Sequence, residues 1–185
     1  MEFRFYASFS SPFDTFTIVW KESGSNLLLQ RIFLSDPELK SEVKARESFK
    51  HIKLESSLSV ELLGERIQQF LRGEHADFDL ELLDFNKCYE VQKRVLTAEY
   101  RIPRGFVSTY KRIADKIGIT NGARVVGNAL ARNPFPIIIP CHRAIKSNGA
   151  LGGFQGGIKM KRALLELEGI EFSKRGMVVT KRIYY

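Results

Sequence analysis

The chain has 185 residues, 44% of them hydrophobic and 27% charged, with a formal net charge of +8. That length holds one large domain or two small ones of ordinary globular composition, and no apolar run of roughly 18 residues is present to cross a membrane. Two cysteines (Cys88, Cys141) and three histidines (His51, His75, His142) form no CxxC pair and no ligand cluster, which argues against a metal site. They fit a reducing interior, and Met1-Glu2-Phe3-Arg4-Phe5 lacks the basic-then-apolar layout of a signal peptide, so a cytoplasmic location is expected.

The charge is uneven. Residues 1–85 carry 10 Lys/Arg against 15 Asp/Glu, whereas residues 86–185 carry 19 against 6, balances of −5 and +13. A half so basic attracts a polyanion, and nucleic acid is its expected partner; a merely solvated basic surface is the alternative.

From residue 3 to about residue 34, Phe, Thr, Ile, Val and Leu are interleaved with polar residues. Ser10-Ser11-Pro12 and Glu22-Ser23-Gly24-Ser25 read as turns, so two or three antiparallel strands are predicted. Ser35-Asp36-Pro37-Glu38 reads as a helix start, with Ser35 as cap and Pro37 in the first turn, leading a polar helix to about Lys50. Leu58, Leu62, Leu63, Phe70 and Leu71 mark an amphipathic helix stopped by Gly73. Phe78-Asp79-Leu80-Glu81-Leu82 alternates like a strand or an extended linker. His51 and His75 read as solvated surface residues. Residues 1–85 are thus expected to form an α/β domain, a small antiparallel sheet plus helices, with a boundary where the charge balance changes sign.

Beyond it, Val91, Val95 and Leu96 predict a helix that stops by Ile102-Pro103-Arg104-Gly105. Ser108-Thr109 caps a short helix, Tyr110–Lys116, ended by Gly118; Thr120-Asn121-Gly122 caps a second over residues 123–132, ended by Asn133-Pro134. Two short helices joined by a tight Gly-containing turn give a helix-turn-helix pattern, so residues 86–185 are expected to form a mainly α, winged-helix-like domain. Ala123, Gly127 and Ala131 share a face of the second helix that is almost bare of side chains. Either that face packs closely on a neighbour, or it lets the backbone enter a narrow nucleic-acid groove, with Arg124 beside it on a phosphate or pushed into the base stack.

Residues 136–145, Pro-Ile-Ile-Ile-Pro-Cys-His-Arg-Ala-Ile, read as a short buried extended segment that delivers Cys141 to its edge with His142 beside it. A thiol so placed is inert packing or a nucleophile, and these residues alone leave both open. Gly152-Gly153-Phe154-Gln155-Gly156-Gly157 is a flexible or closely approached loop around one aromatic ring, without the order of a phosphate-cradling loop. Residues 158–168 read as a helix stopped by Gly169. Glu166 and Glu168 lie at the end of that helix where the dipole disfavours a carboxylate, so one of them is expected to have a cationic or hydrogen-bonded partner. Residues 177–185 form a basic, strand-like tail.

Taken in order, Ile102-Pro103-Arg104-Gly105, Ser108-Thr109-Tyr110, Arg124-Val125-Val126-Gly127, Asn133-Pro134, Ile139-Pro140-Cys141-His142-Arg143, a Gly-rich loop and Glu168-Gly169 resemble the O6-alkylguanine-DNA alkyltransferases, the methylated-DNA–protein-cysteine methyltransferases. The resemblance is close over residues 91–170 and concerns layout alone before that. It implies direct reversal of DNA alkylation: irreversible transfer of the alkyl group from O6-alkylguanine, and from O4-alkylthymine alongside, in duplex DNA to Cys141, after the base is flipped out from the minor groove. By this resemblance His142 takes the thiol proton through a water and Glu168 orients and charge-stabilises His142. Tyr110 donates to the guanine ring and presses on the adjacent phosphate, Arg124 fills the gap left by the everted nucleotide, and Asn133 holds the turn between the groove helix and the active-site strand. The backbone of Cys141, Ala144 and Gln155 lines the guanine edge, with Leu130 and Phe154 as apolar walls. Double-stranded DNA is the implied partner, a monomer the implied state, and no cofactor is needed. Ala144, Phe154 and Gln155 stand where Val, Tyr and Ser or Gly are common in the family, which bears on pocket width; the zinc ligands of some members have no counterpart, and Cys88 reads as a packing residue.

The chemistry of the residues agrees. A base buried in a duplex must leave the stack to be reached, and a thiolate attacking carbon needs only an aligned leaving group and a means of neutralising it. A thioether product limits each molecule to one turnover. Other readings are a lesion sensor without chemistry, which in this family lacks the cysteine that Cys141 supplies; a winged-helix regulator, which would read major-groove base edges that a bare Ala/Gly face reaches badly; and a thiol hydrolase built on Cys141, His142 and Glu168, which gives the basic half no role.

Overall fold

Alternating apolar residues near the N-terminus build three long strands, β1 (Arg4–Ser11), β2 (Asp14–Ser23) and β3 (Asn26–Leu34), followed by helix α1 (Ser41–Ser48), a short strand β4 (Ile52–Leu54) and helix α2 (Leu58–Leu71). The structure, a computed structural model, describes residues 4–23 and 26–185; Gly24 and Ser25 of the expected second turn, and Met1, Glu2 and Phe3, lie outside the described residues. Two compact units divide the chain. One runs to Phe85 and takes in Pro134–Pro136; the other holds Asn86–Asn133 and Ile137–Tyr185.

In the first unit the sheet order is β3-β2-β1-β4. Tyr6 and Val19 point to one face and join Phe33 and the α1 residue Ala45 in a buried cluster. Phe9, Phe16 and Ile18 point to the other, where Gly64 of α2 lies against the Phe9 ring. A helix on each face explains why Ile18 and Val19, neighbours in sequence, are both fully buried.

Three expectations for this unit are corrected. The sheet is mixed, not antiparallel, because β4 pairs in parallel with β1. The helix does not start at Ser35. The Ser35 hydroxyl is shared between Thr15 Oγ1 (2.9 Å) and the Ser41 backbone N–H (2.9 Å), and Asp36 folds its own turn by accepting from the N–H groups of Glu38 and Leu39. Ser35 thus ties strand to helix, Pro37 sits in that turn, and α1 begins six residues later, at Ser41. Nor do residues 78–82 form a strand: Asp79 accepts from the Glu81 N–H at 2.8 Å and closes a 3₁₀ turn over Leu80–Leu82.

The second unit holds α3 (Glu90–Tyr100), β5 (Ser108–Thr109), α4 (Tyr110–Lys116), α5 (Ala123–Ala131), β6 (Ala144–Ile145), α6 (Gly157–Leu167), β7 (Glu171–Phe172) and β8 (Val178–Val179). β5 and β6 run parallel, β7 and β8 antiparallel. Thr109 caps α4 by accepting from the Arg112 N–H (3.1 Å). Gln92 of α3 donates to the Ala129 and Arg132 carbonyls, satisfying the exposed end of α5 from a neighbouring helix. The expected extended segment over residues 136–145 is instead an irregular turn: Ile137 has φ +76°, and Cys141–Arg143 form a 3₁₀ turn. A β-branched residue at positive φ costs about 1–3 kcal/mol and persists only where its surroundings demand it; here Ile137, Ile138 and Ile139 are all buried.

Gly64 gives a prediction. A Cβ there would lie 2.4 Å from Phe9 Cε1, and moving that ring breaks its stacking on Phe16 (centroids 5.4 Å apart). Helix propensity favours Gly64→Ala by about 1 kcal/mol, but overpacking costs about 1–3 kcal/mol, so the clash prevails and the denaturation midpoint falls.

Candidate functional site

The site grows from the turn at residues 141–143. The Cys141 N–H donates to the Ile139 carbonyl at 2.7 Å and the Arg143 N–H to that of Pro140 at 2.8 Å, which folds the three residues tightly enough to send successive side chains to different partners. Cys141 is buried, with 7% of its surface exposed. Burial pushes its thiol up to about 11, against a hydrogen bond from the Asn133 side chain that favours the thiolate. Asn133 also donates Nδ2 to the Ile139 carbonyl (3.1 Å), so one amide braces the turn and touches the sulfur.

His142 turns fully inward. Its Nε2 lies 2.9 Å from Glu168 Oε1, and it shares the 3₁₀ turn with Cys141. Burial pulls the imidazole toward its neutral form, with Glu168 opposing. Glu168 itself is raised by burial and then lowered, to about 2, by His142 and Arg143. An imidazole pushed toward neutrality contributes a hydrogen bond more than a charge, so the guanidinium is what holds Glu168 ionised. Arg143 Nε and Nη2 reach the carboxylate at 2.7–3.1 Å, its Nη1 donates to the Ile102 carbonyl at 2.6 Å, and the Gly105 N–H adds a further bond at 3.2 Å.

On another side Tyr110 is half-buried, and burial pushes its phenol up. Gly152 passes so close that a Cβ there would stand 2.0 Å from the Tyr110 hydroxyl, so the loop needs glycine at this point. Lys161 of α6, fully buried, donates to the Ala144 carbonyl at 2.7 Å and to Tyr110 Oη and the Gly153 carbonyl at 3.4 Å each. The Phe154 ring stands edge-on to His142, with centroids 6.2 Å apart. Ala144 is fully buried, Leu130 7% exposed and Gln155 half-buried. Cys88 and Cys141 are both buried and neither is in a disulfide; His51 and His75 are exposed. Among the described residues no group of His, Cys, Asp and Glu could hold a metal ion, and no helix is long and apolar enough to cross a membrane.

A Cβ at Gly127 would meet nothing within 4 Å, Ala131 and Arg124 are exposed and Ala123 is half-buried. Among the described residues, none packs against this face of α5 at Gly127.

Residues 90–170 match the family model of the 6-O-methylguanine DNA methyltransferase DNA-binding domain. A methylated-DNA–protein-cysteine methyltransferase of Methanothermobacter thermautotrophicus is 48% identical over 113 residues, 61% of this chain and 63% of that protein. One of Mycobacterium tuberculosis is 46% identical over 104 residues, 56% of this chain and 62% of that protein. The crystal structure of Mycobacterium tuberculosis OGT in complex with DNA has a TM-score of 0.71 and 33% identity, covering 89% of this chain and 92% of that one. The chain belongs to the methylated-DNA–protein-cysteine methyltransferase family. In sequence it spans just under two thirds of the length of these two curated methyltransferases.

The turn brings together Cys141, Asn133, His142 and Glu168, while Tyr110 reaches the same interior through Lys161. Sequence reasoning missed three residues there: Arg143, Lys161 and Glu99, the last fully buried on α3. A signal existed for two of them. Glu99 follows Val95 and Leu96 at helical spacing, and Lys161 stands beside Met160 and before Leu164 and Leu165, so each is a charge inside an apolar stripe.

Glu168→Gln keeps shape but leaves the Arg143 guanidinium buried without its counter-charge, a change that costs about 3–5 kcal/mol. Because the folded-state pKa of Glu168 is depressed, its contribution is present above the unfolded value of 4.5 and fades as pH falls through about 2. Chemical denaturation is therefore expected to show the wild type ahead of Glu168→Gln at neutral pH, and the gap closing across that acid window.

Proposed function

We propose that this chain reverses alkylation of duplex DNA by moving the alkyl group of O6-alkylguanine, and of O4-alkylthymine alongside, irreversibly onto Cys141. The observation that carries the reading is the Cys141 thiol held by Asn133 beside a buried His142–Glu168 pair, in a unit whose basic charge suits a polyanion. The DNA complex of the mycobacterial relative supports DNA as the partner. In this reading residues 86–185 bind DNA and carry out the transfer, residues 1–85 are a support, and the protein works as a cytoplasmic monomer without metal or cofactor.

Helices α4 and α5 act as a helix-turn-helix. α5 lays the open face of Ala123, Gly127 and Ala131 in the minor groove, where larger side chains would hold the backbone away. Arg124 takes the space of the everted nucleotide, and Tyr110 presses on the neighbouring phosphate. The flipped base enters between Leu130 and Phe154, with the backbone of Cys141, Ala144 and Gln155 along its edge.

The resting thiol and imidazole are both neutral, so the site is quiescent until substrate arrives. Glu168 fixes Nε2 as the N–H of His142 and leaves the imidazole to accept the thiol proton through a water. The sulfur attacks the alkyl carbon: the S–C bond forms, the C–O6 bond breaks, and the electron pair leaves with guanine. Tyr110 donates to the ring as negative charge builds, because Lys161 donates to its oxygen and leaves its proton to point outward. The guanine anion then regains the proton from the imidazolium, and Cys141 remains a thioether. That bond has no route back, so each molecule acts once.

With duplex DNA carrying labelled O6-methylguanine in excess, methyl transfer is expected to stop at about one per protein molecule, the limit of a thioether-forming nucleophile, and Cys141→Ala transfers none. Continued turnover, or released methanol, contradicts the reading and favours a hydrolase.

A further inference from the structure

The match to the family model ends at residue 170, and the tail residues 182–185 lie beyond it. They hold the strand that leads into Tyr110. One edge of β5 pairs with β6, Ser108 opposite Ala144 and Thr109 opposite Ile145. The tail extends the same small sheet from the other edge. The Val107 N–H donates to the Arg182 carbonyl at 3.0 Å and the Tyr184 N–H to the Val107 carbonyl at 2.8 Å, with Ile183 running parallel opposite Val107. The buried Ser108 hydroxyl adds a bond to the Tyr184 carbonyl at 2.7 Å. Ile183 packs on the cluster of Val107, Ile145, Leu165 and Ile170, and the Tyr184 ring meets that of Phe106 with centroids 6.3 Å apart. Tyr185 then reaches two helices. Its hydroxyl donates to the Ala98 carbonyl of α3 at 2.8 Å. On α4, its backbone oxygen accepts from Arg112, and its ring centroid lies 5.2 Å from the Lys116 ammonium.

β5 and β6 are two residues long each, and so short a pair is marginal by itself. Its register matters, because a slip of one residue turns side chains to the opposite face, and Tyr110 follows β5 directly. β6 in turn follows the 141–143 turn directly. One run of pairing therefore passes from the tail, through the strand that carries Tyr110, to the strand that carries the thiol turn. We infer that residues 182–185 are positioning residues of the transfer site: they form the outer strand that fixes β5 and so sets the Tyr110 hydroxyl against the departing purine. Their functional meaning rests on the transfer reading above, whereas their pairing with β5 stands without it.

Single-turnover methyl transfer from duplex O6-methylguanine, at saturating DNA, is measured for the wild type, for Tyr184→Pro, which lacks the N–H that Val107 accepts, and for Tyr184→Leu, which keeps it. Tyr184→Pro is expected to slow transfer by about tenfold or more, as misplacement by a fraction of an ångström does, and Tyr184→Leu to stay within about threefold of the wild type. The proline substitution is repeated in Tyr110→Phe, where it is expected to add less than about twofold, since two changes that remove one function do not add. A wild-type rate unmoved by Tyr184→Pro overturns the inference. So does an equal slowing in both backgrounds, which is what a merely structural role gives. Should Tyr184→Pro fail to fold, Ser108→Ala, which loses only the hydroxyl bond to the Tyr184 carbonyl, takes its place in the cycle, with a slowing of about threefold that disappears in Tyr110→Phe; no slowing, or the same slowing in both, overturns the inference. If the wild type transfers no methyl to Cys141, the transfer reading fails on its own. The tail is then judged by the NMR signals of the Tyr110 ring, which must shift in Tyr184→Pro and hold still in Tyr184→Leu; signals unmoved by Tyr184→Pro overturn its positioning role.

Discussion

Hydrogen bonds reach the Glu168 carboxylate from three directions, from the His142 ring, the Arg143 guanidinium and the Gly105 backbone. The carboxylate sits at the C-terminal end of α6, where the helix dipole alone would disfavour it. Arg143 offsets both that field and the loss of solvent, and in doing so ties the end of α6 to the turn that carries the thiol. His142 can then be buried, neutral and oriented at once. Without the guanidinium, Glu168 would be drawn toward its protonated form and the imidazole would lose the acceptor that sets its tautomer.

In the proposed transfer, the same turn keeps the Cys141 thiol safe. A thiol raised to about 11 is largely protonated at neutral pH, which protects Cys141 from casual oxidation. Asn133 favours the thiolate by a hydrogen bond and fixes the Ile139 carbonyl, so activation requires little rearrangement once a proton acceptor is connected. Stored strain at Ile137 and the buried isoleucines beside it mark how firmly the surroundings impose this backbone.

Much of this was legible from residue order where local physics decides. The apolar spacing of α2 and the Thr109 cap of α4 fix helices whatever they pack against. The Cys141-His142 pair and Glu168-Gly169 stand out by chemistry. Long-range choices were not legible. β4 is three residues long, and nothing local says it will run parallel to β1. Ser35 carries a good capping side chain but lends its hydroxyl to Thr15 and Ser41 across the fold. Three consecutive isoleucines suggest a strand, yet burial on all sides suits a turn as well. Arg143 looks like a surface charge until packing shows its guanidinium buried against Glu168, whereas Glu99 and Lys161 were marked in the sequence by their place in an apolar stripe.

The proposed transfer depends above all on a guanine leaving the duplex and entering the interior next to residue 141. A crystal structure of Cys141→Ser bound to duplex DNA containing O6-methylguanine tests it most directly. The modified base is expected outside the stack, its methyl carbon within about 3.5 Å of the residue 141 hydroxyl as a near-attack geometry requires, with α5 in the minor groove and Arg124 in the vacated position. A modified guanine still stacked in the duplex, or DNA held on a face remote from α5, contradicts the claim.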